Sequence, residues 1–324
     1  MTHAIRIHAA GGPEVMKWEQ VEVGNPASGQ IRIRHTAVGL NFIDVYHRSG
    51  AYPIQTPATP GMEGAGVVEA VGDGVADVKV GDRVAYAANP MGSYAEARLM
   101  PADRVVKIPD GITDQQAASM MLKGMTAQYL LRRTCPVKPG DTILVHAAAG
   151  GVGLLLCQWG KHLGATVIGT VGSEEKAALA KANGADHTIL YRSEDFVARV
   201  NEITGGKKCR VVYDSVGKDT FVKSLDCLAM LGVGVLYGAA SGKVEPLDIG
   251  VLAAKGSLFV TRPTLFNYTA SRADLVATAN ELFDVVKSGK VKIAINQTYA
   301  LKDAPQAHRD LEARKTTGST VFTV

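Results

Sequence analysis

Residues 148–153 read Ala-Ala-Gly-Gly-Val-Gly, three glycines within four positions. Glycine has no Cβ, so a turn built from it lets backbone N–H groups come close to an anion. If a helix starts at the same place, its first N–H groups and positive dipole end also face that anion. Further along stand Gly172, Ser173 and Lys176. A small residue, a hydroxyl and a cation suit a second phosphate. Glu174 and Glu175 lie beside them and argue the other way, although carboxylates in a first helical turn also stabilise the helix start. For Lys176 the plain alternative is a solvated helix lysine.

The flanking elements give these residues their meaning. Thr142–Val145 is an apolar run that reads as a buried parallel strand. Val152, Leu155, Leu156, Trp159 and Leu163 follow at helical spacing, and Thr166–Val171 reads as the next strand. Strand, glycine turn, helix and strand form the first unit of a dinucleotide-binding sheet. The string departs from G-x-G-x-x-G, since Ala148 replaces the first glycine. NAD sites usually place Asp or Glu at the end of the second strand, for the ribose 2′-hydroxyl. Here Val171, Gly172 and Ser173 occupy that end, so NADPH is the expected cofactor.

The wider chain supports two domains. Its 324 residues allow a sizeable core. A net charge of +4 without Lys or Arg runs does not argue for a nucleic-acid surface. The four cysteines, Cys135, Cys157, Cys209 and Cys227, are dispersed, which suits reduced thiols and a cytoplasmic setting. The first residues are too short and mixed for a signal peptide, and no apolar run is long enough for a membrane span.

Residues 1 to about 122 read as short strands. Ile31–Arg34 alternates apolar and polar, and Gly66–Val71 and Arg83–Ala87 are apolar runs separated by Gly-Asp turns. This spacing suggests an irregular β-barrel. Beyond residue 123, strands at 142–146, 166–171, 187–190, 210–214, 233–238 and 257–261 alternate with helices such as 174–183, 193–203 and 218–230. That alternation predicts a doubly wound parallel sheet. A long helix at 271–288, two short strands and a helix near 303–314 close the chain and are expected to return to the first domain.

The strings GLNFIDVYHRSGAYP (39–53), PGMEGAGVVEAVGDGV (60–75), VGDRVAY (80–86), HAAAGGVG (146–153), GTVGSEEK (169–176), VVYDSVG (211–217), GSLFVTRP (256–263) and LKDAPQAHRDLEAR (301–314) run through the whole chain. Together they resemble the quinone oxidoreductase (zeta-crystallin-like) branch of the medium-chain dehydrogenase/reductase superfamily. The resemblance implies an α/β fold: a Rossmann doubly wound parallel sheet plus a GroES-like irregular β-barrel catalytic domain. The catalytic domain would span 1–122, completed by about 265–324, and the Rossmann NADPH-binding domain 123–264. Asn41, Phe42 and Tyr46 would line the nicotinamide side, and Tyr129 the ribose or phosphates. Gly150, Gly151 and Val152 would face the pyrophosphate. Gly172, Ser173, Lys176 and Tyr191 would surround the 2′-phosphate. Ser215, Gly238, Ser241, Phe259, Val260 and Thr261 would supply later contacts, and Arg314 a further charge. Each apolar position has plain core packing as its alternative, and Tyr191 could be a surface strand-end residue. A homodimer, paired through nucleotide-domain sheet edges, is also implied.

Zinc-dependent relatives use thiolate and imidazole ligands to polarise the substrate oxygen. The corresponding cysteine is absent where Asn41-Phe42-Ile43-Asp44 stands, and Gly61-Met62-Glu63 lacks the histidine of G-H-E. His35, His47 and His146 have no partners at ligand spacing. No metal is therefore expected, and the acceptor must take hydride readily, as quinones do. Tyr46 and Tyr52 are candidate hydrogen-bond donors to a quinone oxygen, since a phenol stays protonated at neutral pH. Wall-lining is their alternative role, and Asp44 is a third polar candidate, with mere orientation of a backbone turn as its alternative. Two other functions stay open: reduction of alkenals or enones, and a crystallin-like structural or RNA-binding role. The missing basic cluster and aromatic interleaving argue against the RNA role.

Overall fold

The computed structural model describes residues 2–324, and three strands open the chain: β1 (Thr2–Ile7), β2 (Met16–Val21) and β3 (Gln30–Leu40). In β3 the two-residue repeat does what a pleat dictates. Ile31 and Ile33 are buried while Arg32 and Arg34 face outward. A helix, α1 (Phe42–Ser49), follows directly. Then come β4 (Glu63–Val71), β5 (Arg83–Ala87), β6 (Ala97–Pro101) and β7 (Val106–Lys107). The helix α2 (Asp114–Tyr129) runs on into a π-helical turn at Leu130–Thr134.

The strand–helix alternation begins with β8 (Thr142–Val145), α3 (Gly151–His162), β9 (Thr166–Val171), α4 (Glu174–Ala182) and β10 (His187–Leu190). It continues with α5 (Phe196–Ile203), β11 (Cys209–Asp214), α6 (Phe221–Ser224), β12 (Leu228–Leu236), α7 (Gly250–Ala254), β13 (Phe259–Thr261) and α8 (Leu265–Tyr268). The chain ends with α9 (Arg272–Lys287), β14 (Ile295–Ala300), α10 (Ala304–Glu312) and β15 (Ser319–Thr323).

These elements fall into two units. The first holds the residues up to Met125 with Thr269–Lys287 and Ile293–Val324, and the second holds Thr126–Tyr268 with Ser288–Lys292. In the first unit a seven-stranded sheet runs β14-β15-β3-β4-β5-β7, with β6 also on β3. The last strand thus pairs with an early one, Phe322 opposite Val38. Its core gathers Ile5, Ile7, Val38, Leu40, Tyr94, Leu301 and Phe322. Burying an aliphatic or Phe side chain of this size contributes about 1.5–3 kcal/mol.

In the second unit the sheet order is β10-β9-β8-β11-β12-β13, every pairing parallel. Numbered from its own first strand this is 3-2-1-4-5-6, the doubly wound order, whose direction reverses between β8 and β11. Ligands bind beyond the carboxyl ends of strands at such a reversal.

The expected helix at 218–230 is not formed. Only the one-turn α6 and a 3₁₀ turn at Leu225–Cys227 separate β11 from β12. The Asp214 carboxylate explains part of this. It accepts hydrogen bonds from the N–H groups of Val216 and Gly217 and from the Thr220 hydroxyl, holding 215–220 as a loop. Strand pairing then starts early, with Leu228 opposite Cys209. The helix expected from 193 starts at Phe196 because Asp195 caps it, accepting from the N–H groups of Val197 and Ala198.

Candidate active site

In the second unit the turn after β8 reaches α3 through Gly150 as N-cap, which carries no capping side chain. The first-turn N–H groups at Gly151 and Val152 are therefore left for an anion. Gly153 is required by packing. A Cβ there would lie 2.3 Å from the Ala147 carbonyl oxygen and 2.8 Å from the Ala148 backbone. Ala148 is tolerated in place of a glycine because its partner is one: a Cβ on Gly169 would come within 2.6 Å of the Ala148 methyl. The missing glycine of the motif has been moved to the neighbouring strand.

Beyond β9, a Cβ on Gly172 would meet the Tyr191 hydroxyl at 2.8 Å and the Arg192 Nε at 3.5 Å. Gly172, Tyr191 and Arg192 thus share one corner. Ser173 caps α4, its hydroxyl accepting from the Lys176 N–H at 3.4 Å. Arg192 was not singled out from the sequence; its only signal is a cation immediately after Tyr191 at a strand end. Glu175 is exposed to solvent, as a first-turn carboxylate can be. A hydrogen bond from the Ser173 side chain holds its carboxyl below the usual range.

The loops after β11 and β12 meet. A Cβ on Gly238 would lie 2.5 Å from the Ser215 carbonyl oxygen, and the Ser241 hydroxyl donates to the Val216 carbonyl at 2.8 Å. Ser215, Gly238 and Ser241 are therefore brought together at the reversal point. Beneath them His146 bonds Thr170 Oγ1 at 2.9 Å and Ser224 Oγ at 2.8 Å, and Ser224 donates to Asp214 at 3.2 Å. All of these side chains are buried, so the serine, histidine and aspartate hold the loops and do no nucleophilic chemistry. Burial lowers the His146 pKa, which keeps the ring neutral.

Tyr129 stacks on Tyr268 with ring centroids 4.4 Å apart, and the Arg133 guanidinium lies 5.1 Å from the Tyr268 ring. Burial raises the Tyr129 phenol, with Tyr237, Tyr268 and Arg262 nearby. Tyr237, Arg262 and Tyr268 went unnoticed in the sequence. Phe259, Val260 and Thr261 form the open edge strand of the sheet, with Phe259 59% exposed.

The first unit holds the remaining candidate residues. Asn41 caps α1 in a capping box with Asp44, whose carboxylate accepts from the Asn41 N–H at 2.9 Å. The Asn41 side chain donates to Glu63 Oε2 at 2.7 Å. Glu63 also accepts from the Leu122 N–H at 2.7 Å and from Lys123 Nζ at 3.3 Å. Lys123 and Glu63 are both buried, an ion pair the sequence did not announce because Lys123 sits within an apolar helix. Phe42 and Tyr46 on α1 and Tyr52 just beyond its end form an aromatic row, with centroids 5.7 Å apart for Phe42–Tyr46 and 5.0 Å for Tyr46–Tyr52. Tyr52 is exposed and Tyr46 half-buried. Arg314 is exposed just past α10, with a positive φ of 59°.

The residues present do not fit zinc. Among the described residues no group of three or more His, Cys, Asp or Glu converges to hold a metal ion. Met62 is buried beside Glu63, and the local cation is the Lys123 ammonium.

Comparison with known proteins agrees with this geometry. Residues 27–110 match the alcohol dehydrogenase GroES-like domain, and residues 151–284 match the zinc-binding dehydrogenase family. The quinone oxidoreductase of Pseudomonas aeruginosa is 53% identical over 323 residues, 99% of both chains. The chain belongs to the zinc-independent quinone oxidoreductase branch of the medium-chain dehydrogenase/reductase superfamily. Within this branch, the crystal structure of Escherichia coli quinone oxidoreductase complexed with NADPH superposes with a TM-score of 0.97 at 48% identity, covering 99% of this chain and 100% of that one. A second activity also occurs among such relatives. The 2-haloacrylate reductase of a Burkholderia species is 49% identical over 332 residues, 99% of each chain. The branch therefore combines the GroES-like and Rossmann architectures seen here, without the metal that names one of its family models.

Proposed function

We propose that this protein is an NADPH-dependent quinone reductase that works without a metal. The observation that carries the reading is the buried Asn41–Glu63–Lys123 cluster beside Met62, the region in which Asn41 and Met62 replace the cysteine and histidine expected of a zinc-dependent relative. An ammonium ion is not a Lewis acid and, already paired to a carboxylate, polarises an oxygen far less than zinc would, so the acceptor must already be electrophilic. When bound, NADPH supplies the hydride.

The Rossmann unit, Thr126–Tyr268, is assigned to the dinucleotide, and the remaining unit to the acceptor. Gly150, Gly151 and Val152 hold the pyrophosphate with backbone N–H groups. Gly172, Ser173, Lys176, Tyr191 and Arg192 hold the 2′-phosphate; Ser215, Gly238 and Ser241 line the reversal point. Tyr46 and Tyr52 orient the acceptor and donate a hydrogen bond to its oxygen. Replacing both by phenylalanine is expected to lower quinone kcat/KM about two- to tenfold per hydroxyl, the worth of one neutral hydrogen bond. A panel of ortho- and para-quinones against alkenals and 2-haloacrylate tests the reading. Quinones should be turned over faster by at least an order of magnitude. The 2-haloacrylate reductase relative makes the activated alkene the second reading, and a preference for alkenals would favour it.

The open edge at β13 supports a homodimer. Phe259 and Met230 are 59% and 77% exposed along this side of the sheet. An unpaired edge strand with apolar side chains is a template for a second copy. The expected species in sedimentation is a dimer of the 34.1 kDa chain, and Met230→Asp with Phe259→Asp should reduce it to monomer. A wild-type monomer at micromolar concentration would refute the dimer. The four cysteines are free and buried, which fits a protein working in the reducing cytoplasm.

A further inference from the structure

The helix α1 has only eight residues, too few to hold its own shape and place in water. Contacts must fix it, and they lie on one face. At about 100° per residue, Asp44 and Arg48 stand side by side, while Phe42 and Tyr46 project from the opposite face. Burial follows this division: Asp44, Val45 and Arg48 are buried, whereas Phe42 and Tyr46 are half-buried.

The buried face is held at both ends. Arg48 Nε donates to the Gly11 carbonyl at 3.1 Å, and the Gly11 N–H donates to the Arg48 carbonyl at 3.0 Å. The guanidinium fork takes the Glu312 carboxylate, on α10, at 2.9 and 2.8 Å. Nη1 also donates to His308 Nδ1 at 3.2 Å, one turn earlier on α10. Arg48 can only donate, so His308 accepts through Nδ1 and carries its hydrogen on Nε2. That hydrogen goes to the Tyr94 oxygen at 3.0 Å. The Tyr94 hydroxyl in turn donates at 3.0 Å to Asp44 Oδ2, which also takes the Asn41 N–H, while Oδ1 has no partner. The path leaves α1 at Arg48, passes through α10 and Tyr94, and returns to α1 at Asp44. It is a closed ring of directional bonds.

Burial of one helix face does not need such a ring. A buried ion pair adds little net stability, and apolar residues of similar volume often replace one without loss. Apolar packing is non-directional, so it leaves the helix freer to rotate and slide about its axis. Hydrogen bonds of set length and angle oppose both movements.

We propose that Arg48 is a positioning residue for reduction of the acceptor: through Glu312 and His308 it fixes the rotation of α1, and so the place of the Tyr46 hydroxyl on the opposite face. This rests on the reading above, in which Tyr46 donates to the acceptor oxygen. Arg48 is buried behind the helix and acts through Tyr46. A donor displaced by about an ångström no longer makes its hydrogen bond. Loosening the ring therefore removes the Tyr46 contribution and leaves the other contacts of the acceptor in place.

The test is Arg48→Met, which removes the four side-chain bonds, keeps a long unbranched side chain and leaves the exposed Glu312 to solvent. Quinone kcat/KM should fall about two- to tenfold, the loss expected for Tyr46→Phe, with melting close to wild type. The double variant should be no slower than either single one, because both changes remove the same hydrogen bond. Position is read directly from the ring resonances of Tyr46 and Tyr52 in protein carrying isotope-labelled tyrosine, assigned from Tyr46→Phe and Tyr52→Phe. The two rings lie 5.0 Å apart, so each reports the orientation of the other, and both should shift in Arg48→Met. If Arg48→Met does not fold, Glu312→Gln, at an exposed position, takes its place in both measurements. Unmoved resonances, or losses that multiply in the double variant, overturn the proposal. Resonances that shift while Tyr46→Phe turns quinones over at the wild-type rate contradict the reading of Tyr46 as a donor and leave the anchoring of α1 by Arg48 standing.

Discussion

Replacing Lys176 with alanine should weaken NADPH binding about ten- to a hundredfold and leave NADH binding nearly unchanged. Only NADPH carries the 2′-phosphate, and a charge-assisted contact to it contributes roughly 1.5–3 kcal/mol. Lys176 lies in the first turn of α4, where its N–H is capped by Ser173. Arg192 lies at the same corner, beside Tyr191 and Gly172. Arg192→Ala should therefore weaken NADPH selectively as well, and if both cations serve the one phosphate as proposed, the two losses should not simply add. Titration of each variant with both cofactors measures this. Equal losses for NADPH and NADH would remove the corner from the specificity argument. Glu175, bonded to Ser173, adds a refinement: its carboxylate is placed to disfavour the phosphate, so Glu175→Gln should sharpen the preference for NADPH.

Gly153→Ala should cost about 3 kcal/mol of stability and most of the dinucleotide affinity. The added methyl would sit 2.3 Å from the Ala147 carbonyl oxygen and 2.8 Å from the Ala148 backbone, atoms that have no flexible end to swing aside. Ala147 already has a φ of +52°, a region that costs a non-glycine residue free energy, so the turn has little capacity for further adjustment. Relief would have to come from moving the start of α3, and with it the N–H groups of Gly151 and Val152. Thermal unfolding and NADPH titration report the two effects separately. A Gly153→Ala protein with wild-type melting and binding would show that the turn is looser than the geometry indicates. Gly150→Ala, whose nearest contact would be 3.1 Å, should be several times milder.

Much of this was legible in the sequence where function depends on neighbours along the chain. The apolar runs of β8 and β9, the glycines between them and the residues at 172–176 are local patterns. The structure places β8, the glycine turn into α3 and β9 almost residue for residue as read. The false helix at 218–230 shows the limit of such patterns. Its residues suit a helix, but Asp214 ties up the backbone N–H groups of Val216 and Gly217, and Leu228 pairs with Cys209. Tertiary hydrogen bonding overrode propensity.

The acceptor side was far less legible. Asp44, Tyr94, Arg48, His308 and Glu312 form one network, yet Arg48 and Glu312 are separated by 264 positions. No periodicity marks such a set. Lys123 was hidden for a different reason, because a lysine between apolar residues on a helix ordinarily extends to solvent. Here Glu63 holds it inside. The substitutions at Asn41 and Met62 implied that zinc had gone; only the structure shows a buried ion pair and a second, weakly bonded carboxyl group in the same cluster.

The most direct measurement is NADPH oxidation by a para-quinone with chelator-washed protein whose zinc content is determined on the same sample. The expected result is full turnover at well below one zinc per chain, with NADPH preferred over NADH. About one tightly held zinc per chain, or activity that is lost on chelation and returns with zinc, would contradict the account.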